Sequence, residues 1–136
     1  CGNFSSSTGT FTIQDTTAPS LTTQASSQTV ECDGSGNLTQ LNAWLASNGG
    51  ASASDTCSGV TWTNNYSGSV SDLCGLTGVA TVTFTATDAC GNFSSSTGTF
   101  TIQDTTAPSL TTQATSQTFR QSRLTMEPLT ASLILL

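Results

Sequence analysis

The feature that most constrains this chain is an internal repeat. Residues 1–29 return at residues 90–118 with a single change in 29 positions, Ser26 against Thr115. The offset of 89 residues is close to the length of one small β-domain. The 136-residue chain therefore holds one full period of a tandem array, with part of a neighbouring period on each side.

The repeat divides the chain into four segments. We assign residues 1–14 to the final strand of a preceding repeat, or to a strand donated to a neighbouring subunit. The others are one complete repeat, the start of the next repeat, and a tail that departs from it: 15–103, 104–118 and 119–136. Both arginines and the one methionine lie in that tail, which fits a genuine terminal segment, a splice onto unrelated sequence or a frame shift in the source gene.

Composition excludes several classes of function. Charged residues make up 7 % of the chain, histidine and lysine are absent, and the repeated part carries only carboxylates. This balance repels nucleic acid. Without histidine, lysine or a phosphate-binding motif, we expect no enzyme activity. No apolar stretch is long enough to cross a bilayer, so we expect no membrane insertion.

Hydrophobic alternation predicts an all-β fold. In Val79–Thr87, valine, phenylalanine and alanine face one side and threonines face the other. Thr97–Gln103 continues this pattern after a turn, so the two segments predict a hairpin. Its copy at the start runs from Phe4 to Gln14. Further strands are predicted at Gly59–Asn64 and Ser26–Cys32.

One segment has helical rather than strand spacing. Leu38, Leu41 and Leu45 are three or four residues apart, Asn37 is available as N-cap, and Asn48-Gly49-Gly50 follows as terminator. We predict a short helix packed on the β-sandwich, with Trp44 adding contact at its margin. We interpret Trp44 and Trp62 as core residues rather than as a ligand-binding site.

The cysteines indicate an oxidising exterior. One period contributes four of the five, because Cys1 is the copy of Cys90. Four cysteines allow three connectivities, and the sequence does not choose among them. The pairing that we favour is Cys57 with Cys90 and Cys32 with Cys74.

Three motifs resemble a known family. The segments Ala53–Thr61, Gly78–Asn92 and Asp104–Pro108 are similar to HYR and related immunoglobulin-like repeats, which occur in bacterial secreted or surface-anchored proteins. The resemblance implies an immunoglobulin-like β-sandwich, here with one short inserted helix, in a tandem array used as extracellular filament, stalk or adhesin. The implied partner is the chain itself, head to tail. An adhesin or carbohydrate-binding repeat that recognises surface glycans is the alternative.

The two copies of Asp-Thr-Thr-Ala-Pro form the joints between repeats. Pro19 and Pro108 restrict the backbone, so each joint is predicted to be short and stiff. Carboxylates cluster at these joints and at nearby turns, and oxygen ligands in loops favour Ca²⁺. The pairing of such a joint with a T-D-x-x-G-N turn is also similar to the calcium-rigidified junctions of cadherin-type arrays. The predicted Ca²⁺ ligands are Asp15, Glu31, Asp33, Asp88, Asn92 and Asp104.

The motif Asn-x-Ser/Thr marks four possible glycosylation sites. The motif is short, and chance occurrence is common in a chain rich in serine and threonine. The four positions are Asn3, Asn37, Asn65 and Asn92.

Overall fold

The structure is a computed structural model that describes residues 1–71 and 74–119. Within them lie six strands, one α-helix and a 3₁₀ turn. In chain order these are β1 (Ser20–Thr23), β2 (Gln28–Glu31), α1 (Leu38–Ala46), the 3₁₀ turn Asn48–Gly50, β3 (Ser52–Ser54), β4 (Thr61–Asn64), β5 (Gly78–Thr87) and β6 (Phe93–Gln103). The compact unit that contains all of them spans Cys1–Thr106.

The strands form two sheets. The larger has the order β2-β6-β5-β4, in which β5 is antiparallel to both of its neighbours and β2 is parallel to β6. The smaller pairs β1 with β3 in antiparallel orientation. The prediction of a mostly β fold with one short helix is therefore confirmed. No helix in the described residues has the length and apolar character needed to cross a membrane.

The predicted hairpin is formed by β5 and β6. Val82, Phe84 and Ala86 are 0 % exposed, and Phe100 on the partner strand is equally buried. The threonines face the other side, where the Thr83 and Thr97 hydroxyls lie 3.0 Å apart. Period-two burial on both strands explains why alternation identified this hairpin.

Helix α1 packs against the inner face of that hairpin through Trp44 rather than through a leucine row. Trp44 is 4 % exposed, its ring lies 5.2 Å from that of Phe84 and 5.7 Å from that of Phe100, and its indole nitrogen donates to the Ser26 carbonyl. Leu41 is also buried, but Leu38 is 62 % exposed. The prediction that Trp44 is a core residue is therefore confirmed, and its contact is central rather than marginal because its large ring fills the space above both phenylalanines.

Asn37 stands at the N-cap position of α1 without capping the helix through its side chain. Its backbone is left-handed, with φ 52°, and its fully buried amide donates to the Glu31 carbonyl and accepts from the Asp33 amide. Asparagine tolerates this conformation better than most residues. Burial leaves no room for a glycan on Asn37 in the folded chain.

The first 14 residues form no strand in the structure, although their copy forms β6. Phe11 is 90 % exposed and Ile13 84 %, whereas their copies Phe100 and Ile102 are 0 % and 1 % exposed. The strand predicted from Phe4 to Gln14 is therefore not formed within this chain. Its assignment to a neighbouring repeat or subunit stays a prediction.

A second compact unit begins at Ala107. Its described part, residues 107–119, contains neither helix nor strand. The predictions about the tail fall almost entirely on residues 120–136, which lie outside the described residues.

Candidate functional site

The two copies of the joint motif meet the complete repeat at opposite ends of strand β6. We call Asp15–Thr17 the front joint and Asp104–Thr106 the rear joint. The front joint lies beside Asn92, which immediately precedes β6, and the rear joint directly follows the last residue of β6. At about 3.3 Å per residue, these ends of an 11-residue strand are roughly 33 Å apart.

The front joint is held by the turn between β5 and β6. The Asn92 amide nitrogen donates to the Asp15 carbonyl at 3.3 Å and to the Asp88 carboxylate at 2.7 Å. Oδ1 of Asp88 accepts from the amides of Cys90 and Asn92. Burial raises the pKa of Asp88, but the hydrogen bonds from Asn92 and the turn amides outweigh it and hold the pKa below its ordinary value. Two of the predicted Ca²⁺ ligands, Asp88 and Asn92, thus stand beside a third, Asp15.

A second turn brings two further donor groups to this place. One oxygen or sulfur atom from each of Asp15, Asp55 and Cys57 lies within 4.8 Å of the others. The sequence pattern did not identify Asp55 as a site residue, and it identified Cys57 only as a disulfide partner of Cys90. A signal was present, because Asp55-Thr-Cys57 and Asp88-Ala-Cys90 are both Asp-x-Cys turns. In each, the cysteine amide donates to the aspartate Oδ1 at 2.8 Å.

The donor set at the front joint fits a cation. Oδ1 of Asp15 accepts from the Thr17 amide, whereas Oδ2 is buried and has no hydrogen-bond partner among the described residues. A buried carboxylate oxygen without a partner is costly unless a positive charge approaches it. Neither lysine nor histidine is present in the chain to supply a positive charge there, and oxygen ligands of this kind suit a bound cation.

The two Asp-x-Cys turns also bring Cys57 and Cys90 into the same neighbourhood. The Ala89 amide donates to the Ser58 hydroxyl at 3.1 Å, which joins the turns. The charges of Asp15, followed by burial and the charges of Asp55, Cys90 and Asp88, raise the pKa of the Cys57 thiol. All five thiols are free in the structure, so the predicted disulfides stay predictions.

The other predicted pair lies toward the opposite end of β6. Cys32 donates its amide to the Gln103 carbonyl at 2.7 Å. The Cys74 sulfur lies 3.4 Å from the Thr77 hydroxyl, next to the start of β5. Both thiols therefore belong to the rear end of the repeat.

The rear joint is held by the carboxylate of Glu31 at the end of β2. Its Oε1 accepts from the Thr105 amide at 2.7 Å and the Thr106 hydroxyl at 3.0 Å, and its Oε2 accepts from the Thr105 hydroxyl at 2.9 Å. These bonds, the one from the Thr105 amide first, lower the pKa of Glu31. The Thr106 amide donates to Oδ1 of Asp104 at 3.0 Å.

The six predicted Ca²⁺ ligands do not converge within one repeat. Asp15, Asp88 and Asn92 stand at the front joint, and Glu31 and Asp104 at the rear joint. Asp33 is occupied in its own loop, where its carboxylate accepts from the amides of Ser35 and Asn37; the bond from Asn37 comes first in lowering its pKa.

The aromatic residues that an adhesin would present are at least partly covered. Trp44 lies in the core, and Trp62 and Tyr66 are partly buried against it. Among the predicted glycosylation sites, Asn65 uses its side-chain oxygen to accept from the Thr83 amide, and Asn3 is exposed. Glycosylation at Asn3, Asn65 and Asn92 stays a prediction.

No family model, curated protein or solved structure matches this chain. The basis for a function is therefore the pair of joints and the residues that hold them.

Proposed function

We propose that the chain is a structural subunit of an extracellular filament or stalk built from immunoglobulin-like repeats joined head to tail. The observation that carries the proposal is the placement of two identical joint sequences at opposite ends of one strand. The chain enters the repeat at one end and leaves it at the other end, about 33 Å away. Successive copies joined in this way extend the array in one direction.

Two modes of assembly remain open in this proposal. In a covalent array, residues 1–14 complete the sheet of the preceding repeat. In a donor-strand polymer, they enter the sheet of a neighbouring subunit and bury Phe11 and Ile13 there. Both modes account for large apolar side chains that are exposed in this chain but buried in the copy. A head-to-tail contact propagates as a fibre when its rotation does not close into a ring, and both modes use such a contact.

The experiment for this function is side-chain-resolution imaging of the native extracellular material, followed by an SDS gel of the same material after reduction and denaturation. We expect a line of beads that repeats every 89 residues of chain. Very long denatured chains indicate the covalent array, and short ones indicate donor-strand exchange. Native material that contains only isolated, non-assembled copies would contradict the proposal.

We further propose that Ca²⁺ stiffens the joints. At the front joint, the residues that would hold Ca²⁺ are Asp15, Asp55 and Asp88. Asp15 would bind it through its unpartnered oxygen, and Oδ1 of Asp55 already accepts from two backbone amides. Bound Ca²⁺ supplies positive charge that holds several carboxylates together.

Removal of Ca²⁺ is expected to lower the stability of the full chain. At a free concentration about 100-fold above Kd, a bound ion contributes roughly 2.7 kcal/mol, so thermal melting should shift down by several degrees when excess chelator is added. Asp15→Asn should abolish this shift. Asp33→Asn is the matched control, because Asp33 binds only amides of its own loop among the described residues, and it should keep the shift. Melting that is unchanged by chelator in the parent chain contradicts the calcium proposal.

A further inference from the structure

The two joints have the same sequence and the same internal hydrogen bond but different partners. In each, the second threonine donates its amide to Oδ1 of the aspartate at 3.0 Å, Thr17 to Asp15 and Thr106 to Asp104. The front joint shows how Asp-Thr-Thr meets the repeat that follows it. The rear joint shows how the same residues meet the repeat that precedes it.

We infer that, in consecutive repeats, one Asp-Thr-Thr joint is held from both sides at once, by Glu31 of the repeat before it and by the equivalent of Asn92 in the repeat after it. This inference rests on the proposed head-to-tail function. It deepens that function by naming the interface and the partner, which is the next copy of the same repeat.

We call the hydrogen bonds to Glu31 the rear grip, and those from the equivalent of Asn92 the grip from the following repeat. The two sets use different atoms of the joint, so both can form at once. In the rear grip, the Glu31 carboxylate accepts from the Thr105 amide and from the hydroxyls of Thr105 and Thr106. In the grip from the following repeat, the equivalent of Asn92 donates its side-chain amide to the aspartate carbonyl, as Asn92 does to Asp15. The internal bond from the second threonine amide to the aspartate is present in both. No donor or acceptor is therefore required twice.

Burial of the joint proline agrees with this arrangement. Pro19 is fully buried by the repeat that follows it, whereas its copy Pro108 is exposed. In the sequence, the repeat pattern stops at Thr118, so Pro108 is not followed by the residues that form the body of a repeat. A following copy would give Pro108 the environment of Pro19.

The two-sided joint also unites carboxylates that are far apart within one repeat. The joint aspartate stands beside Asp55 and Asp88 of the repeat after it, while its two threonines bind Glu31 of the repeat before it. Five of the six residues predicted as Ca²⁺ ligands belong to such a junction, since Asp15 and Asp104 are the same repeat position. Only Asp33 stays in its own loop.

The rear grip can be tested in the full 136-residue chain by amide hydrogen exchange. Thr105 and Thr16 occupy the same repeat position with the same neighbours, so their unprotected exchange rates are equal. A hydrogen bond to a charged group slows exchange, and we expect the Thr105 amide to exchange about 10-fold or more slowly than that of Thr16. Glu31→Gln should reduce this difference and Asp33→Asn should preserve it. Equal rates for Thr105 and Thr16 in the parent chain overturn the rear grip.

The two-sided grip is tested in a chain extended by a second copy of residues 30–118 after Thr118. Spin labels in the two repeats should give one narrow distance distribution in the parent chain. Glu31→Gln in the first repeat, or Thr105→Val at the joint, should replace it with a broad distribution, while Asp33→Asn should leave it narrow. The grip from the following repeat is tested by Asn92→Ala in the second copy, with melting of that variant to verify that the repeat stays folded.

A broad distribution in the parent, or a narrow one that survives both Glu31→Gln and Asn92→Ala, overturns the inference. The outcome is separable from that of the proposed function. Flexible joints in the extended chain together with native fibres reject the two-sided grip alone, whereas a rigid extended chain without native fibres rejects the filament alone.

Discussion

Replacing Phe100 with alanine is expected to destabilise the chain by about 3–5 kcal/mol, whereas the same replacement at Phe11 is expected to have almost no effect. The two phenylalanines occupy the same position of the repeat and have identical neighbours for at least ten residues on either side. Phe100 is 0 % exposed and packs against Trp44, but Phe11 is 90 % exposed. Urea unfolding of each variant measures the difference directly.

Because Phe100→Ala is so destabilising, a second pair of milder substitutions at the same two positions is also needed. Small domains have net stabilities of about 5–15 kcal/mol, so Phe100→Ala removes a large fraction and leaves the chain near unfolding. Phe100→Leu keeps most of the volume and should cost about 1 kcal/mol, while Phe11→Leu should cost nothing measurable. Equal costs at positions 11 and 100 would show that residues 1–14 pack into a sheet within the single chain. The fold described above would then be wrong in that segment.

This pair of phenylalanines also shows how far the sequence alone can predict the fold. Alternation identified β5 and β6 because each buries one face and exposes the other over many residues. The same pattern in residues 4–14 predicted a strand that does not form here, since a strand needs a partner sheet as well as a pattern. Gly98 and its copy Gly9 show the same difference in environment. A Cβ atom at position 98 would lie 3.0 Å from the Trp44 ring, whereas a Cβ atom at position 9 would have no neighbouring atom within 4 Å.

Strands β1 and β3 were missed for a related reason. They are short and consist mostly of serine and threonine, so they carry no clear alternation, and a 2.7 Å contact between the Thr22 and Ser52 hydroxyls links them. The copy of β1 at residues 109–112 has the identical sequence but is not a strand. Pairing across the chain, rather than local preference, decides whether these residues are extended.

The sequence predicted the part of the candidate site that lies in the joint motif and in the turn next to β6, but not the loop that approaches them. Asp88 and Asn92 share one turn, and the sequence identified both. Asp55 and Cys57 come from a loop more than 30 residues earlier, and their approach to Asp15 depends on how that loop folds over the turn. The contact of Glu31 with the rear joint could not be predicted from the sequence either. It depends on the parallel pairing of β2 with β6, which places Glu31 beside Thr105.

Oxidation of Cys57 and Cys90 to a disulfide is expected to stabilise the chain by about 3–4 kcal/mol, the chain-entropy estimate for a closed loop of about 33 residues. The two cysteines stand on turns that are joined by the hydrogen bond from the Ala89 amide to the Ser58 hydroxyl. Oxidised glutathione is a suitable reagent: it accepts the two electrons and two protons and leaves as two thiols. The elevated pKa of Cys57 should make this reaction slow at neutral pH and faster as the pH rises, because the thiolate is the reactive form.

A variant that retains only these two cysteines, with serine at positions 1, 32 and 74, isolates the effect. Its oxidised and reduced forms have the same sequence, so any cost of the three serines cancels in the comparison. Peptide mapping without reductant should recover residues 57 and 90 in one linked fragment, and urea unfolding should show the gain only in the oxidised form. Cys57→Ser in the same background is the control that cannot close the bridge within the chain. Two results would contradict this prediction: an oxidised form that contains only links between chains, or one that unfolds at the same urea concentration as the reduced form. Either result would mean that the two turns are not held together as in the structure. The grouping of Cys57 with the front joint would then be wrong as well.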